Sequence, residues 1–295
     1  MMQTIGRTLK QIRLAKGFAQ KEIYQGIVSR SFAIRLESGQ HDLGASKLFL
    51  ILDRLGVSAG EFRFIQNDYQ PDTATDLNSQ IMLAYDQQNF PLLSHLAQRY
   101  QASDNPTEQR MAVMAATLLV AFDHEHVVLS PAMAHLWQQF TFTKTWTLQE
   151  LKMGPVLLAL AGFKHEPLPA IIRRFHVTCE RYVTATTDQF DVMDDRSSFD
   201  LVALQVLLVH QEYAAARAFR SQVEAGYLNH LSTDGALAQR LCLCIWSAYF
   251  GDFEQANDLA SRLKTLPLSR YQPGIHSLLN SWLPRAKHYR QTQNS

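Results

Sequence analysis

The side chains best suited to bind a polar partner lie between positions 20 and 35. Arg30 and Arg35 follow Ser29, a residue type that favours the start of a helix. An arginine on an exposed helix can donate to O6 and N7 of one guanine, which distinguishes that base in a major groove. The residues predicted to contact DNA are Gln20, Lys21, Ser29, Arg30, Ser31, Ile34 and Arg35. This set predicts a double-stranded DNA operator as the ligand.

Apolar spacing predicts which face of the segment is exposed. Phe32 and Leu36 lie four residues apart, so they share a helix face and should pack against the preceding helices. Arg30, Ser31 and Ile34 then point outward, with the remaining arginine of the segment at the margin of the exposed face. This arrangement is typical of the second helix of a helix-turn-helix, whose N-terminal half meets base edges.

A short helix should precede this recognition helix. Gln20 opens it, and a glutamine at a helix N-terminus can bind a phosphate together with free backbone N–H groups. Further basic residues that could contact the DNA backbone are Arg7, Lys10, Arg13, Lys16 and Lys21. For Lys10, Lys16 and Arg63, an ordinary solvated side chain is the favoured interpretation.

Glycines and serines at the ends of apolar runs predict five short helices within residues 1–65. Gly17, Gly39 and Gly56 follow apolar helical runs, while Ser29 and Ser58 stand where a helix would begin. The segment carries ten Lys/Arg against five Asp/Glu, and the rest of the chain carries eighteen against twenty-two. A basic head on a mildly acidic body indicates that the head alone meets a polyanion.

After a polar, proline-containing linker at residues 66–75, only helical patterning is visible through residues 76–295. Tyr213 and Phe253 stand forty residues apart, each after a polar turn and three residues before an alanine. Asn89 and Phe90 open a weaker copy. We therefore predict an all-α chain with a five-helix helix-turn-helix domain and a tetratricopeptide-like α-solenoid. An irregular helical bundle is the alternative.

The sequence contains few residue patterns typical of catalysis or metal binding. No nucleophile elbow, phosphate loop or paired catalytic carboxylates stand out, so no enzyme and no cofactor are expected. No metal site is expected either, because His124 and His126 are two residues apart and the aspartates near position 191 lack a calcium-loop pattern. Arg173, Arg174 and His176 should lie on a helix surface.

The chain also carries no apolar run of about eighteen residues, as a membrane span would need. Its three cysteines, Cys179, Cys242 and Cys244, are expected to be free and buried. The first residues lack the layout of a secretory signal. We therefore expect a cytoplasmic protein with no membrane partner.

Residues 3–65 resemble the helix-turn-helix domain of the xenobiotic-response-element class of repressors. The stretches 21–32, 41–47 and 52–58 are similar, more narrowly, to the Rgg/GadR/MutR regulators, and Tyr24 favours this assignment. The resemblance implies a dimeric regulator whose helical-repeat domain senses a short hydrophobic peptide, as in quorum sensing. It also implies that Arg30, Ser31 and Arg35 read bases and that Gln20 contacts phosphate.

Two positions depart from that family. Relatives often carry a tyrosine and a polar residue where this chain has Ala33 and Ile34, so its operator should differ. Some relatives carry a cysteine at the position of Ala45 and link two subunits there, which this chain cannot do. We expect a homodimer held mostly by the C-terminal helices between Leu237 and Leu283.

A peptide groove would be lined by the first helix of each hairpin. These helices are predicted to start near Asp76, Pro106, Thr147, Arg196 and Gly235. The residues predicted to contact the peptide are Arg110, Lys152, Gln205, Arg240 and Trp246. Each also has an ordinary interpretation: a solvated side chain for the three basic residues, a loop cap for Gln205 and a core residue for Trp246.

Two other functions stay open at this point. The helical domain could serve only to dimerise a peptide-independent regulator, or it could be an adaptor scaffold for another protein. A concave surface with apolar walls and a few convergent polar groups would favour the peptide hypothesis.

Overall fold

A computed structural model describes residues 3–120, 130–164, 167–267 and 271–293, with no side-chain description for residues 162–164. The described residues form eighteen α-helices and no strand, which confirms the all-α prediction. The chain divides into two compact units, Met1–Asn78 and Ser79–Ser295, here called the head and the repeat unit. His124 and His126 lie outside the described residues.

The head contains the five predicted helices. They are α1 (Ile5–Ala15), α2 (Gln20–Tyr24), α3 (Arg30–Glu37), α4 (Ala45–Leu55) and α5 (Ala59–Gln66). Thr4, Ser29 and Ser58 each accept a hydrogen bond from a backbone N–H of the following first turn. Gly56 ends α4 in the left-handed region with φ of 60°. The local sequence therefore defines where most of these helices begin and end.

The five helices of the head pack around one apolar core. Leu9, Ile23, Leu36, Ile51 and Phe62 are nearly or fully buried and come from all five helices in turn. At 25 cal/mol per Å², burying one such side chain contributes about 1.5–3 kcal/mol. This core packs beneath α2 and α3 and decides which face each of them exposes.

Thirteen further helices follow in the described residues, and the first of them, α6, crosses the boundary between the two units. They are α6 (Thr73–Asp86), α7 (Phe90–Gln101), α8 (Pro106–Val120), α9 (Pro131–Phe142), α10 (Leu148–Lys152), α11 (Gly154–Lys164), α12 (Leu168–Cys179), α13 (Val192–Val209), α14 (Tyr213–Ala218), α15 (Arg220–Ala225), α16 (Thr233–Phe250), α17 (Phe253–Lys264) and α18 (Gln272–Gln293). The linker at residues 66–75 stays a prediction.

Each of the three turn sequences noted above joins two consecutive helices. Tyr213 and Phe253 are the first residues of α14 and α17, and the residue two positions before Tyr213, Gln211, has a φ of 58°. Asn89 and Asp252 cap α7 and α17, accepting from the backbone three residues on at 3.2 and 3.0 Å. The forty-residue register thus marks successive helical hairpins, and the tetratricopeptide-like architecture is confirmed.

The interior of the repeat unit holds a polar cluster as well as apolar side chains. His176 Nε2 lies 2.6 Å from Oδ1 of Asp200, and the Tyr227 hydroxyl donates to Oδ2 at 2.7 Å. His176 was predicted at the surface and is instead buried, because α12 turns it toward α13.

The three cysteines are buried as free thiols. No helix within the described ranges has the length and apolar character that crossing a membrane requires.

Candidate functional site

The turn between α2 and α3 follows from local sequence and one long-range contact. Gly26 has a φ of 80°, a conformation that glycine adopts without strain. Ser29 Oγ then accepts from the Phe32 backbone N–H at 3.2 Å and starts α3. Arg54 on α4 donates to the carbonyls of Ile23 and Gln25 at 2.9 and 2.7 Å, which closes the C-terminal end of α2. Local sequence does not indicate this role of Arg54, because the two acceptors lie 31 and 29 residues away.

A buried ion pair connects the three helices beneath this turn. Arg13 on α1 donates to both oxygens of Glu37 on α3, at 2.7 and 2.8 Å. Gln20 at the start of α2 donates to the same carboxylate at 2.7 Å. Such bidentate pairing is specific in geometry as well as favourable in energy.

Two of these residues form contacts that the sequence did not predict, and for Arg13 the contact overturns a predicted role. Arg13 was assigned to the DNA backbone and is instead buried against Glu37. The amide nitrogen of Gln20 is directed at Glu37, so the donors left for a phosphate are the second N–H of this amide and the backbone N–H groups of the first turn of α2. The sequence did not reveal either contact, because the partner lies 24 and 17 residues away.

The same carboxylate shapes the electrostatics of the site. Burial opposes ionisation of Glu37, but hydrogen bonds from Arg13 and Gln20 outweigh it and hold its pKa below the ordinary value of 4.5. Burial and the neighbouring charge of Glu37 raise the pKa of Tyr24. The pair is therefore ionised, and Tyr24 is neutral, at neutral pH.

The exposed face of α3 matches the prediction. Arg30, Ser31 and Arg35 are exposed, and Ile34 has 51% of its surface exposed, whereas Ala33 and Leu36 are buried. The Ser29 and Ser31 hydroxyl oxygens lie 3.2 Å apart at the helix start. Lys21 on α2 is exposed as well. The structure thus presents two guanidinium groups, two hydroxyls and one apolar side chain along the exposed side of α3 and its N-cap.

A groove in the repeat unit is a second candidate site. It lies between α7, α8 and α9 and has a volume of about 750 Å³. That volume falls within the usual range for ligand pockets. Its apolar walls are formed by Ala112, Val113, Ala116, Met133 and Leu136. Polar groups at its rim are Gln98, Gln101, Gln109, Arg110, His135 and Gln139.

The structure does not bring the five residues predicted to bind peptide into one site. Arg110 lines the groove, whereas Lys152 and Arg240 are exposed on α10 and α16 and do not. Gln205 is occupied by its neighbours: it donates to the Leu201 carbonyl and accepts from the Trp282 indole at 3.1 Å. These assignments required knowledge of helix faces that periodicity alone does not supply.

Trp246 is a core residue rather than a free groove wall. Only 9% of its surface is exposed, and its indole N–H donates to the carbonyls of Ala216 and Arg217 at 3.1 Å each. Arg220 lies over its ring at 4.7 Å. The indole thus connects the C-terminal end of α14 to α16.

Comparison with known proteins supports the same two-part organisation. The family model HTH_3, described as helix-turn-helix, matches residues 9–62. No curated protein matches the chain.

Solved structures match over the whole length. A protein from Listeria monocytogenes EGD-e described as a transcriptional regulator has 18% identity and a TM-score of 0.72, covering 100% of this chain and 99% of its own. The SHP pheromone receptor Rgg2 from Streptococcus dysgalactiae has 15% identity and a TM-score of 0.62, covering 98% and 99%. PrgX, in its complex with iCF10, has 15% identity and a TM-score of 0.65, covering 97% and 98%.

At these identities the solved structures establish the fold, and the family model establishes the class of the head. The fold is also the one that the resemblance to the Rgg group implied. Residues 9–62 are therefore a helix-turn-helix domain, and the chain as a whole has the fold of the Rgg2 and PrgX regulators.

Proposed function

We propose that the protein is a transcription regulator of the Rgg type that binds a specific DNA operator through α3. The observation that carries this proposal is the exposed array of Arg30, Ser31, Ile34 and Arg35 on a helix held from behind by the buried Arg13–Glu37 pair. Arginine reads guanine, and an exposed isoleucine can contact a thymine methyl group. Two such heads on one homodimer would meet half-sites about one helical turn apart.

Replacing Arg30 or Arg35 by alanine tests this assignment. Loss of a bidentate guanine contact should weaken specific operator binding by about 1–3 kcal/mol and relax the base preference at one position. Arg63→Ala, on α5 of the same head, removes an equal charge and is the matched control. Operator selection followed by quantitative footprinting measures both quantities. If neither recognition-helix variant alters base preference, α3 does not read the operator.

We infer further that the repeat unit binds a short hydrophobic peptide that controls DNA binding. The groove between α7, α8 and α9 supports this, because it combines apolar walls with amide side chains able to pair with a peptide backbone. Rgg2 is named as a pheromone receptor, and PrgX was solved in complexes with cCF10 and iCF10. Arg110 is the one sequence-predicted contact on this groove.

A direct binding assay can show whether the peptide binds in this groove or at the predicted contacts on α10 and α16. Arg110→Ala should weaken binding of labelled short hydrophobic peptides by about tenfold, while Lys152→Ala and Arg240→Ala serve as matched charge controls outside the groove. Fluorescence polarisation with the full chain gives the affinities, and operator binding checks that each variant is folded. Losses confined to Lys152→Ala or Arg240→Ala would move the site to α10 or α16. If no peptide binds the wild type, the repeat unit serves dimerisation only.

A further inference from the structure

A second pocket of the repeat unit is strongly basic and is separate from the groove between α7, α8 and α9. It has a volume of about 280 Å³ and lies between α12 and the loop joining α9 to α10. Its lining residues are Lys144, Thr145, Trp146, Ala170, Arg173, Arg174, Val177, Thr178 and Arg181. Four of these are cationic and none is acidic. Neither the helix-turn-helix nor a hydrophobic peptide accounts for this concentration of charge.

Two described carboxylates near these residues in sequence are directed elsewhere. Glu150 accepts from the Thr147 hydroxyl and backbone N–H at 2.6 and 2.7 Å, and Glu180 faces Arg196 at 3.5 Å. Among the described residues, Lys144, Arg173 and Arg181 form no ion pair. The positive charge of the pocket is therefore not neutralised by this part of the chain.

One wall of the pocket is preorganised. The Arg174 guanidinium lies 4.2 Å over the Trp146 ring and donates to the Thr143 carbonyl. Trp146 is itself buried, with its indole N–H donating to the Phe140 carbonyl at 3.2 Å. Burial lowers the pKa of Arg174, with no neighbouring carboxylate to offset it. An anion next to this guanidinium would supply the missing counter-charge.

The number of cations indicates the charge of the anion. Arg173 and Arg174 lie on one turn of α12, Arg181 lies about two turns further along and just beyond its end, and Lys144 lies on the loop between α9 and α10. Arginine binds carboxylate and phosphate oxygens in pairs, but four cations without a described acidic partner match the higher charge and the three acceptor oxygens of a phosphate group better than a single carboxylate. We propose that this pocket binds the phosphate groups of a small phosphorylated metabolite, giving the repeat unit a second ligand besides the peptide.

Calorimetry on the full chain with inorganic pyrophosphate at low ionic strength tests the proposal. Wild-type protein should bind one pyrophosphate per chain in this pocket, and the double variant Arg173→Gln/Arg181→Gln should bind it at least about tenfold more weakly. Both residues are exposed, so that folding should be unaffected. Arg99→Gln/Arg262→Gln removes the same charge from exposed sites elsewhere in the repeat unit and should leave this affinity unchanged.

Three results would overturn the proposal. One is an equal loss in both double variants, which would indicate general charge attraction. Another is citrate binding as tightly as pyrophosphate, which would indicate a polycarboxylate ligand instead. The third is a larger loss of low-salt, non-specific DNA affinity than of pyrophosphate affinity in Arg173→Gln/Arg181→Gln, which would make this face a contact for the DNA backbone.

Discussion

Among the described residues, the head and the repeat unit each bury one carboxylate, and the two carboxylates have different partners. In the head, Glu37 is bound on both oxygens by a single guanidinium, that of Arg13, and also accepts from Gln20. Two full charges therefore face each other in a fixed, planar geometry. This pairing fixes the relative orientation of α1, α2 and α3, of which α2 and α3 carry the proposed DNA contacts.

In the repeat unit, Asp200 is bound by His176 and Tyr227 at 2.6 and 2.7 Å, and the guanidinium of Arg196 stands 3.9 Å away. The Arg196 Nε atom is buried with no hydrogen-bond partner, as is the Tyr24 hydroxyl beside Glu37 in the head. The difference lies in the carboxylate, since Asp200 connects α12 to α13 and to the segment before α16 without the bidentate guanidinium contact that Glu37 has. The head therefore pairs its buried carboxylate with one arginine in a single bidentate geometry. The repeat unit instead surrounds its buried carboxylate with a histidine, a tyrosine and a more distant arginine.

The largest expected effect is in the head. Glu37→Gln leaves the Arg13 guanidinium buried with no counter-charge, which should lower the local stability of the head by about 3–5 kcal/mol. Hydrogen exchange followed by mass spectrometry should show faster exchange in peptides from α1 and α3, with peptides from α13 and α16 unchanged. Unchanged exchange in α1 and α3 would mean that the pair contributes no net stability.

The same pair predicts a pH dependence confined to the head. Because the pKa of Glu37 lies below 4.5 in the folded head, its contribution is fully present above pH 4.5 and is lost as the pH falls through the folded pKa. Exchange in α1 and α3 should therefore accelerate in acid beyond the intrinsic pH effect in the wild type. In Glu37→Gln this extra acid sensitivity should be absent, and its persistence would assign it to another group.

A smaller effect is expected from Asp200→Asn in the repeat unit. The amide keeps the shape but loses the charge next to Arg196 and one acceptor for His176 or Tyr227, which should cost about 3 kcal/mol. Asp258→Asn, in an exposed ion pair with Arg262, should cost under about 1 kcal/mol and is the control. If Asp200→Asn destabilises α12 and α13 as much as Glu37→Gln destabilises the head, the two clusters are equivalent and the contrast fails.

The smallest effects concern helix ends closed by a distant basic side chain. Arg290 on α18 donates to the carbonyls of Ser247, Ala248 and Gly251 at the end of α16, and Lys16 donates to those of Leu55 and Gly56 at the end of α4. Arg290→Met should cost about 2 kcal/mol and Lys16→Met about 1 kcal/mol, since the lysine is exposed. Thermal unfolding of both variants measures the two losses of stability. A larger loss in Lys16→Met than in Arg290→Met would contradict the prediction.

Local pattern was enough to predict most of the head. Ser29, Ser58 and Gly56 define helix ends through contacts with the next few residues, and the spacing of Phe32 and Leu36 defines the inner face of α3. The repeat was visible for the same reason, because a polar turn followed by an aromatic residue is a local signal. The fold class, the recognition helix and the hairpin register follow from interactions within one or two helical turns.

Side-chain partners far apart in sequence were decided by the tertiary structure alone. Arg13 and Gln20 look like surface residues until Glu37 is placed beside them, and His176 looks exposed until α13 brings Asp200 within 2.6 Å. The basic pocket arises in the same way, because α12 meets the loop after α9 only in the folded chain. Periodicity specifies which face of a helix is apolar, but which element covers that face depends on packing among all of them.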